Sequence, residues 1–92
     1  MFGVTAAAHH WFAAPPRELT LRQAAFLAAL TAEPTAMSRR VRRAAGLDPD
    51  SATRVDVVLR AMWRDGAIDG AAYEAAKNAP LHFAPSALKQ ER

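Results

Sequence analysis

The stretch T-L-R-Q-A-A-F-L-A-A-L, from Thr20 to Leu30, decides the fold. Thr20 and Gln23 have the spacing of a capping box, in which the Thr hydroxyl accepts from the backbone N–H three residues on and the Gln side chain reaches back to the N–H of Thr20. The spacing predicts a helix that starts at Leu21. Leu21, Ala24, Ala25 and Ala28, with Leu27 and Leu30 one position over, keep one broad face apolar, and Pro34 is expected to stop the helix. Almost no charge follows Arg22 within it, so it is expected to be buried on most sides.

Outward from that helix the same punctuation recurs. Upstream, about Gly3 to Ala13 is rich in Ala, ends in the aromatic pair Trp11 and Phe12, and is halted by Pro15 and Pro16, which predicts a short helix. Downstream, Ala32 to about Asp48 is expected to be a loop with at most one helical turn. Asp48 and Pro49 then suit an N-cap and first turn, Val55, Val58, Leu59 and Met62 follow at i, i+3, i+4 and i+7, and Gly66 suits a C-cap. Asp69 caps a last short helix holding Tyr73 and Ala76, closed by Asn78 and Pro80. Leu81 and Phe83 are expected to form a brief extended segment. There is no internal repeat, low-complexity tract or strand pair, so the expected class is all-α, a small bundle of short helices.

Composition limits the chemistry. At 92 residues the chain is one small domain or a piece of a larger one. Its apolar share is 51%, but much of that is Ala, which buries little area per side chain. Such a segment is expected to gain stability by packing against something else. The absence of Cys removes disulfides, thiolate zinc sites and cysteine nucleophiles together. A net charge of +3 and a pI near 10.2 permit attraction to nucleic acid, anionic lipid or phosphorylated substrates without choosing among them. Met1 to Trp11 does not read as a signal peptide, and the longest apolar stretch, Ala24 to Leu30, is far below the roughly 20 residues that span a bilayer.

Candidate sites are few. His9 and His10 are adjacent and therefore about 100° apart on a helix, so they cannot chelate one metal as an i, i+4 pair can. No metal or cofactor site is expected. Asp48 and Asp69 are accounted for as caps, Glu18 and Glu33 flank the second helix, and Asp65 sits beside Gly66, so no carboxylate pair stands out as general acid and base. No G-x-S-x-G, phosphate-binding Gly-rich loop or Ser-x-x-Lys motif occurs. The one charge run, Arg39, Arg40, Arg42 and Arg43, is the only candidate anion contact. Trp11, Phe12, Trp63 and Tyr73 are expected to be core anchors between helices.

Read as strings, three blocks resemble one family. Gly3 to Phe12, G-V-T-A-A-A-H-H-W-F, resembles the G-x-x-x-A-A-x-x-Y-F stretch that ends the fourth motif of glycosyltransferase family 51, the peptidoglycan polymerases. Leu19, Leu21, Gln23, Ala24, Ala25, Leu27, Ala28 and Pro34 are similar to its fifth motif, L-x-L-x-E-A-A-x-L-A followed by proline. Arg54, Val58, Leu59, Met62, Gly66, Ile68, Tyr73, Ala76 and Leu81 resemble the segment that closes the domain. Three departures stand out: Ala13 and Ala14 replace the usual Gly-Lys, Gln23 replaces Glu, and the Pro-x-x-Tyr-x-Pro pattern is absent near Met37 and Ser38.

The resemblance implies that residues 1–84 are the carboxyl-terminal portion of a lysozyme-like helical lobe, with 85–92 a polar tail. It implies the remainder of the glycosyltransferase domain as partner, lipid II as substrate of the complete domain, and a place at the periplasmic face of the bacterial cytoplasmic membrane, reached through the parent protein. The family's catalytic Glu in E-D-x-x-F-x-x-H-x-G, its G-x-S-T-x-T-Q-Q strip and its second Glu are not found here. No catalytic residue is carried over, and the chain alone is expected to be inactive. The competing reading is a small basic helical module that binds nucleic acid through its four clustered arginines; no specific nucleic-acid partner is expected.

Overall fold

The computed structural model describes residues 2–88. Five helices, α1 (Phe2–Phe12), α2 (Leu21–Ala32), α3 (Pro34–Ala44), α4 (Pro49–Arg64) and α5 (Gly70–Asn78), are joined by short connections, with 3-10 turns at Pro16–Glu18 and Pro85–Leu88. No strand occurs among the described residues, and the class is all-α. Leu81 and Phe83 lie in a stretch without regular structure, pinned where the Ala84 N–H donates to the Trp11 carbonyl at 2.8 Å. Beyond it, the turn at Pro85–Leu88 buries Ala87.

The caps fall where their side chains can reach. Thr20 Oγ1 accepts from Gln23 N at 3.1 Å and Gln23 Oε1 accepts from Thr20 N at 2.8 Å, closing both halves of the box. Asp48 accepts from Ser51 N at 3.1 Å and Asp69 from Ala72 N at 2.8 Å, opening α4 and α5. At the far end of α4, Gly66 takes φ 84° while its N–H reaches Trp63 O and the next N–H, of Ala67, reaches Met62 O. That crossed pair of bonds is a Schellman closure, which needs a left-handed residue.

The core is centred on a residue that the apolar stripe of α2 passes over. Ala25, Phe26, Leu27, Ala29 and Leu30 are buried, whereas Ala24 and Ala28 are exposed, so α2 is rotated from the expected face. Phe26 is the reason: one phenyl ring buries far more area than several Ala methyls, so its placement sets the helix orientation. Its ring meets Trp11 at 5.5 Å, Phe12 at 5.7 Å and Phe83 at 5.0 Å, centroid to centroid and steeply inclined. These contacts tie α1, α2 and the chain after α5 together. On the other side of α2, Val55 and Leu59 of α4 are fully buried and Tyr73 and Ala76 of α5 nearly so.

The expected loop from Ala32 to Asp48 is instead mostly helix. Pro34 stops α2 and also opens α3, because a first-turn residue needs no N–H and its fixed φ suits a helix start. Met37 and Val41 stand at i and i+4 and are both fully buried, which gives α3 a narrow apolar seam. Arg42 and Arg43 in its last turn sit favourably at the negative end of the helix dipole. The helix closes on Ala45, at φ 56°, with Gly46 N bonded to Val41 O at 3.1 Å. No helix among the described residues is long and apolar enough to cross a membrane.

Candidate functional site

The arginine run maps to α3, and the helix distributes its members to different neighbours. Arg40 turns toward α4, 3.4 Å from Asp48 and 3.6 Å from Glu33, and Glu33 is also held by Arg54 at 2.7 Å. Arg42 turns toward α1 and the last turn. Its Nε donates to Ala87 O at 3.1 Å, its NH2 lies 3.3 Å from His10 Nε2, and its guanidinium sits 5.4 Å from the centre of the Trp11 ring. Arg39 and Arg43 are exposed and form no ion pair among the described residues. Four guanidiniums that are adjacent in sequence therefore do not converge on one anion. Two act as stitches between elements, and two face solvent.

The Asp48 carboxyl has two tasks, as cap of α4 and as partner of Arg40. Burial pushes its pKa up, but hydrogen bonding from Ser51 and the Arg40 charge outweigh that and hold it below the usual carboxylate value. Three further carboxylates are likewise engaged in structure: Asp69 as a cap, Glu33 between two arginines, and Asp56 accepting from Tyr73 Oη at 2.9 Å and Arg60 at 2.9 Å. His9 and His10 are exposed on α1, with His10 edge-on to Trp11 at 5.2 Å. Trp11 and Tyr73 are buried and Phe12 is half-buried, as expected of anchors. Trp63 is not an anchor of that kind, since it remains 45% exposed.

The concave feature that the sequence reading passed over is a groove of about 420 Å³ between α1, the turn at Pro16–Glu18, α2 and the start of α3. Ala7, Leu19, Ala24, Leu27, Ala28 and Leu30 form most of its wall, and no charged side chain lines it among the described residues. The signal was present in the sequence as Ala24 and Ala28, one helical turn apart, but it was assigned to the core face. In the folded chain those two small residues form the floor of an open apolar trough. Such a trough takes an apolar side-chain row or an acyl chain, and the hydroxyl of Thr31 at its edge donates to the Ala28 carbonyl at 2.6 Å.

The backbone at the end of α1 ties this geometry to the sequence motifs. Ala13 takes φ 54°, the left-handed region that glycine enters at no steric cost, at the place where the resembled motif carries Gly. The family model described as transglycosylase matches residues 1–63, which run from α1 almost to the end of α4. No curated protein and no solved structure matches the chain. With the match extending over more than half of its length, the chain belongs to the transglycosylase family, glycosyltransferase family 51.

Proposed function

We propose that this chain is the carboxyl-terminal part of a peptidoglycan glycosyltransferase domain, a structural lobe that works only with the remainder of that domain. The observation that carries the proposal is a pairing: the transglycosylase match spans residues 1–63, yet the acidic E-D-x-x-F-x-x-H-x-G motif is not in the sequence. Asp48 and Asp69 cap helices and Glu33 and Asp56 neutralise arginines, so these four carboxylates are engaged in structure rather than held ready as a general base. In the complete domain the substrate is lipid II, and the setting is the bacterial cell envelope, at the periplasmic face of the cytoplasmic membrane. The parent is a penicillin-binding protein or a related polymerase that supplies the membrane attachment. The groove over Ala24 and Ala28 suits the missing part of the lobe, since an uncharged concave wall favours an apolar partner.

A polymerisation assay with lipid II tests this directly. The purified chain should give no glycan product above a buffer control, and a polypeptide carrying the acidic motif, added in trans or fused ahead of it, should give product that depends on the chain being present. Polymerisation by the chain alone would overturn the proposal. A nucleic-acid module is disfavoured by the same geometry, because among the described residues Arg40 and Arg42 are engaged by Asp48, Glu33 and Ala87, and only Arg39 and Arg43 face solvent.

A further inference from the structure

Among the described residues two large hydrophobic side chains stay exposed, Val57 at 59% and Trp63 at 45%. Trp63 lies on the buried ring of Tyr73, with centroids 4.8 Å apart, whereas Val57 opens onto a second hollow. That hollow, of about 240 Å³, is bounded by Ala28, Ala29 and Ala32 of α2 and by Arg54, Val57 and Val58 of α4. The trough on the α1 side of α2 holds about 420 Å³, and Ala28 lines both. Ala24, Ala28 and Ala32, at i, i+4 and i+8, are all exposed and run as one row along the outer face of α2. α2 thus shows a low ridge of methyl groups with an apolar hollow on either side.

Shape and charge select what fits over that ridge. A helix carries its side chains in rows four residues apart, and two rows of large ones straddling a low ridge drop into the hollows on either side. Methyl groups at the crossing point let the two axes approach to about 8 Å, the short end of helix packing. A second copy of this chain does not supply such rows from the same face. A methyl ridge laid on a methyl ridge leaves the hollows empty, whereas a stable dimer needs roughly 800 Å² of close contact from each copy. A charged partner is disfavoured too, because no charged side chain lines the trough among the described residues, and Arg54 at the second hollow already donates to Glu33 at 2.7 Å. We propose that this face of α2 and α4 seats one helix from the rest of the glycosyltransferase domain, with an uncharged face of large aliphatic side chains, crossing α2 at Ala28. Resting on the reading of the chain as part of that domain, this assigns the joint to one face, one kind of element and one crossing point.

The chain has no Cys, so a single introduced thiol reports on its own surroundings. Ala28→Cys, Val57→Cys and, as a control on the outer side of α5, Ala75→Cys all alter exposed positions, and far-UV circular dichroism checks that each variant folds. Each is treated with the disulfide reagent DTNB, with and without a saturating polypeptide that carries the E-D-x-x-F-x-x-H-x-G motif. Binding should slow the reaction of Ala28→Cys and Val57→Cys about tenfold or more by removing access, and leave Ala75→Cys unchanged. Val57→Cys decides if Ala28→Cys does not fold. Ala28→Leu should weaken the association about tenfold to hundredfold, because added methylenes on the ridge are not absorbed at a close crossing, and Ala75→Leu should not. A complex or chain-dependent glycan product that forms while Ala28→Cys and Val57→Cys stay reactive overturns the docking face and leaves the reading as a domain part standing. If the polypeptide neither binds nor yields product, both fall. Protection that rises with the chain's own concentration puts a second copy on the face, and protection by phosphatidylglycerol vesicles without polypeptide puts lipid there; either overturns the proposal.

Discussion

Helices α2 and α3 are neighbours of nearly equal length, 12 and 11 residues, separated only by Glu33, and they are held in place by opposite means. α2 buries five side chains around Phe26 and starts on a complete capping box. α3 buries only Met37 and Val41 and starts without a side-chain cap. What α3 lacks in apolar area is offset by guanidiniums that reach out of it, Arg40 toward Asp48 and Glu33, and Arg42 toward Ala87, His10 and Trp11. A helix can therefore be specified by what it buries or by what its charged side chains tie it to, and the two kinds respond differently to substitution.

The largest effect should come from the apolar side. Phe26→Ala removes the ring that Trp11, Phe12 and Phe83 all touch, and is expected to cost about 3–5 kcal/mol, enough to unfold a chain of this size. Urea denaturation followed by circular dichroism measures it. A loss below about 1 kcal/mol would mean that Phe26 is not the centre of the core. Arg42→Gln, on α3, should cost less, about 1–3 kcal/mol, because a charged hydrogen bond to Ala87 O and the contact with the Trp11 face are lost together. Trp11 fluorescence should change in the same variant. If Arg42→Gln leaves both the midpoint and the Trp11 emission unaltered, α3 is not stitched in this way.

Thr20→Ala comes next, at about 0.5–2 kcal/mol, since it opens one half of the capping box and leaves the N–H of Gln23 to water. Thr20→Ser should retain most of the native stability, and a Ser variant as weak as the Ala variant would remove the cap from the explanation. A gain is expected at the other end of α3. Ala45 closes the helix at φ 56°, and Ala45→Gly relieves the left-handed strain of a residue with a Cβ, raising stability by about 1 kcal/mol. α2 has no such residue at its end, where Glu33 lies at φ −141°. A destabilised Ala45→Gly chain would show that the loss of backbone entropy outweighs the strain.

What the sequence disclosed and what it hid divide along the same line. The caps at Thr20, Asp48 and Asp69 and the closure at Gly66 were legible because each involves partners within a few residues of one another. So were Val55 and Leu59, whose spacing has no competing pattern. α3 was not legible, since Pro34 reads as a stop until the next residues are known to continue as helix. Met37 and Val41 do mark one apolar face opposite the arginines, but with only two buried side chains that face is short and was passed over between Pro34 and Gly46. The contact of Arg42 with Trp11 and Ala87 spans tens of residues, and no local rule foretells it. The orientation of α2 was missed because Ala24 and Ala28 look apolar in a stripe, although Phe26 decides which way the helix turns. Trp63 was read as an anchor from residue type alone, and its exposure follows from Tyr73 occupying the buried position beneath it.

The smallest effect on stability belongs to Arg39 and Arg43, and it separates the two meanings of the arginine run. Both side chains are exposed, so the double variant Arg39→Gln, Arg43→Gln should leave the unfolding midpoint within about 0.5 kcal/mol of the native chain. Its signature lies elsewhere, in binding to polyanions. With two guanidiniums free rather than four, log K for duplex DNA should fall against log salt with a slope of about −1.8, twice −0.9, rather than about −3.6. At roughly 150 mM salt, where the Debye length is about 8 Å, that attraction should be too screened for saturable, sequence-dependent binding. Fluorescence anisotropy of a labelled duplex across a salt series gives the slope, and the Gln variant should abolish what binding remains at low salt. A slope near −3.6 in the native chain would mean that Arg40 and Arg42 leave Asp48 and Ala87 to meet phosphate. The division of α3 into stitching and solvent-facing arginines would then fail, and tight, sequence-selective binding at physiological salt would replace the cell-wall reading with the nucleic-acid one.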